Sequence, residues 1–192
     1  MSMTTKPHFQ AEQDDEVKQE GNKYIFRPRG LNIVWGNDER YWKLPKKKQS
    51  KDEPTEPAEL IQVSWLEVTG SYTLSTAKKY EISFEVELAP DAFGWRDIQA
   101  FLMAKVGKKG KYTWTKVKVA AQDPKVGKFK IPDDNGQPMK IEVPSNAPDS
   151  TVYFGLYEVW SGKWKGGLKI HQASVKEVYA HKCMWAVLAP NF

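Results

Sequence analysis

Eight tryptophans, set against three histidines and a single cysteine, frame the chemistry open to this chain of 192 residues. His171 falls within an apolar run and His181 shortly follows it, with no acidic partner at ligand spacing. Histidines so placed are expected to pack or to hydrogen-bond, and no metal site is expected. Cys183, between His181-Lys182 and Met184-Trp185, is read as a structural thiol, since a reactive thiolate needs a positioned base. Glu81, Glu85 and Glu87 share one face of an alternating run. They form a solvated stripe, a poor start for the facing carboxylates of glycoside hydrolysis. The sequence has no Gly-rich phosphate loop, no G-x-S-x-G elbow and no H-E-x-x-H, the motifs that would position phosphate, nucleophile or zinc. No catalysis and no cofactor are expected.

The indoles remain. Trp65 shares parity with Ile61 and Val63, and Trp114 lies in the alternating Lys111–Val117 segment, so both are expected in the core. Trp35 instead ends the run Leu31–Trp35, and the polar link Gly36-Asn-Asp-Glu-Arg40 leads to Tyr41-Trp42. Trp164 lies in Trp160-Ser-Gly-Lys-Trp-Lys-Gly-Gly167. Indoles in loops of small and polar residues fit a ligand platform, because loops on a rigid scaffold are where binding sites concentrate. They fit equally well as caps on the open ends of a sandwich.

The elements that must position them read as strands. Tyr80, Ile82, Phe84, Val86 and Leu88 alternate with Glu81, Ser83, Glu85 and Glu87, the period of a half-buried antiparallel strand. Similar runs are Leu31–Trp35, Leu60–Val68, Ser71–Leu74, Phe101–Val106, Tyr112–Val119, Lys128–Ile131, Met139–Val143, Val152–Val159 and Leu168–Tyr179. Val152–Val159 is apolar on both faces, which suits a central strand. Turn signals such as Asp133-Asp-Asn-Gly136, Ser161-Gly162 and Gly166-Gly167 separate the runs. Many short strands without a long amphipathic helix predict an all-β fold, an antiparallel jelly-roll β-sandwich. Pro45–Glu59 is expected as a charged loop with room for one helical turn near Pro57, and Gly107–Lys111 as a hairpin loop. Residues 1–22, polar and acidic, are expected as a disordered tail ahead of a domain over 23–192.

Composition narrows the partners. No apolar run reaches the length of a membrane span. The N-terminus lacks an apolar signal segment, and the lone cysteine excludes an internal disulfide. A reducing compartment, cytosol or nucleus, is therefore expected. Lys46-Lys47-Lys48 is either a nuclear import signal or a solvated loop. The net charge is +5, but only Arg27, Arg29, Arg40 and Arg96 among the 29 basic residues are arginine. That balance suits solubility and weak backbone contact more than base-specific recognition. Lysines interleaved with Tyr112 and Trp114 (Lys108, Lys109, Lys111, Lys116, Lys118) would suit a single-stranded RNA surface. The competing reading is a solvated hairpin whose lysines block edge-to-edge pairing.

Leu31-Asn-Ile-Val-Trp-Gly-Asn-Asp-Glu-Arg-Tyr-Trp42, Ala58-Glu-Leu-Ile-Gln-Val-Ser-Trp-Leu-Glu-Val68, Phe154-Gly-Leu-Tyr-Glu158 and Lys163-Trp-Lys-Gly-Gly167 together resemble the Nictaba-like plant lectins, which include phloem protein two. The resemblance runs from about Tyr24 to Tyr179. It implies a jelly-roll sandwich without catalysis, in the cytoplasm and nucleus, and in sieve elements for phloem members. The implied partners are N-acetylglucosamine oligomers and the chitobiose core of N-glycosylated proteins, with a homodimer left open. It carries a binding role to Trp35, Trp42 and Glu158, and to Trp164 in the adjacent loop. Thr151 falls where tobacco-type relatives have an acidic site residue, leaving a hydroxyl in place of a carboxylate.

Overall fold

The computed structural model describes residues 6–12, 16–47, 54–120, 127–133 and 136–179. Lys48, His181 and Cys183 lie outside the described residues, so the import signal and the thiol stay as expectations. In chain order the regular elements are β1 (Val17–Glu20), β2 (Lys23–Phe26), a 3-10 turn at Pro28–Gly30, β3 (Asn32–Ile33), β4 (Trp42–Lys43) and β5 (Ala58–Leu60). They continue with β6 (Leu66–Thr73), β7 (Lys78–Phe93), β8 (Ala100–Val106), β9 (Thr113–Val117), β10 (Lys128–Ile131), β11 (Met139–Val143), β12 (Thr151–Glu158) and β13 (Gly166–Val178).

These strands form the all-β jelly-roll sandwich that the alternation predicts. Strand β7 pairs with β13 along most of its length to make the spine of an eight-stranded sheet. Both spine strands carry further partners: β11 and β10 on β7, β2 and β5 on β13. Strands β1 and β4 extend the sheet outward through β2 and β5. The second sheet has five strands in the order β3-β6-β12-β8-β9, all antiparallel. The doubly apolar run at 152–159 is indeed central, as β12.

Inward residues close the core between the sheets. Ile82, Phe84, Val86, Ile170 and Val175 from one sheet face Val68, Leu102, Val152, Phe154 and Leu156 from the other, all fully buried. Phe154 sits edge-on to Phe26 at 5.0 Å and to Phe84 at 6.3 Å. Fully burying a side chain of this size is worth about 1.5–3 kcal/mol, so this layer dominates stability.

Two expectations are corrected here. The tail expected over 1–22 is, where described, part of the sandwich. Phe9 is buried and bridges Ile33 through two backbone hydrogen bonds of 2.9 and 3.0 Å. Val17–Glu20 forms an edge hairpin with β2, turning at Gly21 with φ 57°. The acidic composition hid this because the charges are answered locally: Glu12 takes a bidentate bond from Arg29, whose guanidinium also lies 5.0 Å from the Phe9 ring. That bond holds the Glu12 carboxyl below its ordinary range. Second, Pro57 leads into strand β5 and not into a helical turn, since Ala58 and Leu60 bury on the sandwich.

Candidate functional site

One end of the sandwich gathers the loops. Ile33 pairs with Val68, Val34 donates to the Glu67 carbonyl, Glu158 pairs with Leu66 and Tyr157 with Phe101. The ends of β3 and β12 and the starts of β6 and β8 therefore lie together. Loops 34–41, 61–65 and 159–165 all leave from this end.

Loop 159–165 is built on a buried charge pair. Glu158 and Lys165 are both buried and form an ion pair. The Lys165 ammonium also donates to the Ser64 carbonyl at 3.0 Å. The Glu158 carboxylate accepts from the Ser161 N–H at 3.0 Å and from the Ser161 hydroxyl at 2.9 Å. Backbone bonds in both directions, each 2.9 Å, tie Lys165 to Val63. Gly94 supports the loop from below. At φ 77° its missing Cβ would stand 2.1 Å from the Trp164 carbonyl oxygen, so only glycine lets the two backbones approach. Trp95 donates its indole N–H to the Gly166 carbonyl at 2.8 Å. Held this way, the loop presents Trp160 and Trp164 at 60% and 52% exposure.

Loop 34–41 presents a third indole. Trp35 is exposed and adopts φ 63°, a conformation that bulky residues rarely take. Its backbone N–H donates to His8 Nδ1 at 3.0 Å, and its ring packs edge-on to His8 at 5.1 Å and near Tyr41 at 5.7 Å. Asn37 donates to the carbonyls of Lys6 and His8, and Arg40 grips Asp38 through both carboxylate oxygens. The N-terminal residues thus hold Trp35 in its unusual backbone. Such strain persists only where surrounding contacts enforce it, and it concentrates at functional sites.

Residues 21–176 match the Phloem protein 2 family. The chain belongs to this family. It is 44% identical over 188 residues to Protein PHLOEM PROTEIN 2-LIKE A9 of Arabidopsis thaliana, covering 93% of this chain and 100% of that one. A lectin from Luffa acutangula is 40% identical over 80 residues, 40% of this chain and 38% of the lectin. Among solved structures, the CBM22-1 xylan-binding domain from Paenibacillus barcinonensis aligns with a TM-score of 0.40 at 13% identity, over 81% of this chain and 86% of that one.

Within this Phloem protein 2 fold, the residues singled out from sequence separate into three groups. Trp35, Glu158 and Trp164 belong to segments that meet at the loop end. Glu158, however, is sealed within the loop base with both oxygens engaged, so it shapes the site and does not line it. Trp42 is 1% exposed, on β4 opposite Leu60, with no partner for its indole N–H among the described residues. It packs beneath the loops and offers no free face, which corrects its expected stacking role. Thr151 is corrected more strongly. It lies seven residues from Glu158 along β12, roughly 23 Å away at the strand rise, beside Thr73 and Asp149.

Trp65 and Trp114, expected in the core, are both exposed. The chain bends at Ser64, which breaks the parity linking Trp65 to Val63, and the Trp65 indole N–H reaches Glu67 at 2.9 Å. On β9 the buried residue is Val117, so Trp114, of opposite parity, points outward. Trp160 and Lys165 were missed. Trp160 carried the same signal as Trp164, an indole among small polar loop residues. Lys165 carried none, because a lysine between Trp164 and Gly166 reads as solvated.

A trough of about 500 Å³ lies elsewhere, on the outer face of the eight-stranded sheet. Its floor is the hydrogen-bonded Ser83 and Ser174 hydroxyls, and charged Glu20, Lys23, Lys128 and Lys130 stand around them. It has hydrogen-bonding capacity but no indole. The loop end has four exposed ones, Trp35, Trp65, Trp160 and Trp164.

Proposed function

We propose that the chain is a non-catalytic lectin that binds oligomers of N-acetylglucosamine at the loop end. The observation that carries this reading is the set of exposed indoles of Trp35, Trp160 and Trp164, fixed on loops by a buried ion pair and an enforced backbone. A pyranose ring has a face of C–H groups, and a rigid indole offers a flat polarizable partner for it. By analogy with aromatic pairs, each contact contributes about 0.5–1.5 kcal/mol beyond area burial. The side chains of Asn37, Arg40 and Lys163 on the same loops supply polar partners for hydroxyls and the acetamido group. Two or three sugars held this way correspond to binding in roughly the micromolar to sub-millimolar range. Membership of a family that includes a named lectin among this chain's relatives supports the same reading. The chitobiose core of N-glycosylated proteins is the corresponding macromolecular target, in the cytosol or nucleus.

Calorimetry tests it. Chitotriose is expected to bind, glucose to bind at least tenfold more weakly, and Trp164→Ala to lower chitotriose affinity about tenfold. Raising the salt concentration from 50 to 200 mM is expected to leave chitotriose binding nearly unchanged, whereas phosphate contacts would weaken steeply. Equal affinity for glucose and chitotriose would remove the lectin assignment.

A further inference from the structure

We infer that the site continues from the loop end across the outer face of the five-stranded sheet, and that its ligand is an extended, uncharged oligosaccharide lying across the strands with its far end on Trp114. This deepens the lectin reading and rests on it.

Register defines the surface. One row across the sheet runs Val34, Glu67, Tyr157, Phe101, Lys116, and the next runs Asn32, Thr69, Gly155, Met103, Trp114. The alternate residues Leu66, Val68, Phe154, Leu156, Leu102 and Ala104 are buried in the core. These two rows therefore face out. They cross from β3 to β9 in four inter-strand steps of about 4.8 Å, roughly 19 Å in all.

Aromatic rings pave that span. Trp160 of the loop site sits edge-on to Phe101 at 4.9 Å, and Phe101 edge-on to Trp114 at 5.7 Å. The loop site and the sheet face thus form one continuous surface. A Cβ on Gly155 would come within 2.9 Å of the Tyr157 ring. Because Gly155 has none, that ring lies down against the strand and keeps the middle of the face low. Trp65, bonded to Glu67, borders the row on the β6 side. Trp114 and Trp160 are more than half exposed, although burying them against a neighbour would be favourable.

Charge selects the ligand. Glu67 is the carboxylate of these rows and is already bonded to Trp65, and Lys116 stands at the margin. Lys108 and Lys109 follow Gly107, whose N–H bonds to the Thr151 carbonyl at the opposite end of β12. The Lys105 ammonium is held there too, over the rings of Tyr112 and Tyr153. Lys108 and Lys109 are therefore set apart from the loop site, and Lys105 and Lys116 are single charges beside the rings, balanced in part by Glu67. The outer face of the eight-stranded sheet is different in kind. There Lys79–Glu142, Lys130–Glu81 and Lys169–Glu87 pair off at 3.4, 3.2 and 3.3 Å, the pattern of a solvated surface. Hydroxyls and rings, with little net charge, fit a neutral sugar chain.

Titration calorimetry with chitotriose and chitohexaose separates this inference from the lectin reading. Wild type is expected to bind chitohexaose at least tenfold more tightly than chitotriose. Trp114→Ala is expected to bring chitohexaose affinity down to the wild-type chitotriose level. Trp114→Thr, which keeps strand propensity beside Thr113 and Thr115, repeats the test if the alanine variant folds poorly. Wild-type affinity that stops rising after three sugars, or a natively folded Trp114 variant that keeps the full gain, overturns the inference while the lectin reading stands. Wild type binding neither sugar overturns both. Tight, salt-sensitive binding of oligouridylate without any chitohexaose gain would make the face a nucleic-acid surface and overturn it too.

Discussion

Glu158 and Lys165 behave as one unit, and that changes what their substitution should do. A buried ion pair contributes little beyond a well-packed apolar pair, but removing one partner strands the other charge away from water, at about 3–5 kcal/mol. Lys165→Met alone is therefore expected to lower unfolding free energy by about that much in urea titrations. Glu158→Gln should cost stability as well, because the ammonium is left facing a neutral amide. The double variant should recover part of the loss. Additive single and double costs would show that the two side chains do not work as a pair. Sequence alone could direct attention to Glu158, through resemblance, but not reveal its role. A glutamate at the end of a strand can face sugar or face inward, and the lysine that decides between them has no apolar pattern around it. The indoles were more legible. Trp35 and Trp164 fell among loop residues and are exposed, whereas Trp42 followed an equally polar link and is buried because β4 pairs with β5 there.

At the level of elements, legibility followed strand length and alternation. Lys128–Ile131 and Met139–Val143 are the strands that their spacing predicts, and Tyr80–Leu88 lies within the longer β7. The short strands β1, β2, β4 and β5, two to four residues each, give too few alternations to register. Trp114 shows the same limit differently: an edge strand with one buried position, Val117, does not reveal which parity is inside. The N-terminal segment is the most consequential of the missed pieces. It supplies Phe9 to the core and His8 to Trp35, so it links stability to the site. Removing residues 1–12 is expected to lower the melting temperature by several degrees and to weaken chitotriose binding. Phe9→Ala should account for most of the stability loss, at about 3 kcal/mol, a typical cost for truncating a buried ring. A truncated protein with an unchanged melting curve and unchanged affinity would mean that these contacts carry no energy.

For the molecule as a whole, the two outer faces divide the work, one charged and solvated, the other paved with rings, and titration reports on each separately. On the charged face, hydrogen bonding from His171, together with Lys169, holds the Glu87 carboxyl below its ordinary range. Arg29 does the same to Glu12 at the N-terminal segment. Depressed carboxyls add stability that is complete above the unfolded glutamate value of about 4.3 and is lost as pH falls through the lower folded values. On the ring face, burial, reinforced by Tyr112 and Glu67, pushes the Tyr157 hydroxyl above its ordinary range. Burial also raises Tyr80, at the edge of the core. For these groups the sign reverses. Their contribution is complete below the unfolded tyrosine value of about 10 and disappears as pH rises and the unfolded chain ionises more readily than the folded one. The urea midpoint is therefore expected to stay level between about pH 5 and pH 9, to fall below about pH 4, and to fall again above about pH 10. Tyr157→Phe tests the second limb by itself. It removes the ionisable hydroxyl but keeps the ring against Gly155, so the alkaline fall should shrink while the acid limb stays in place. An alkaline limb identical to wild type would show that Tyr157 is not held neutral by the ring face.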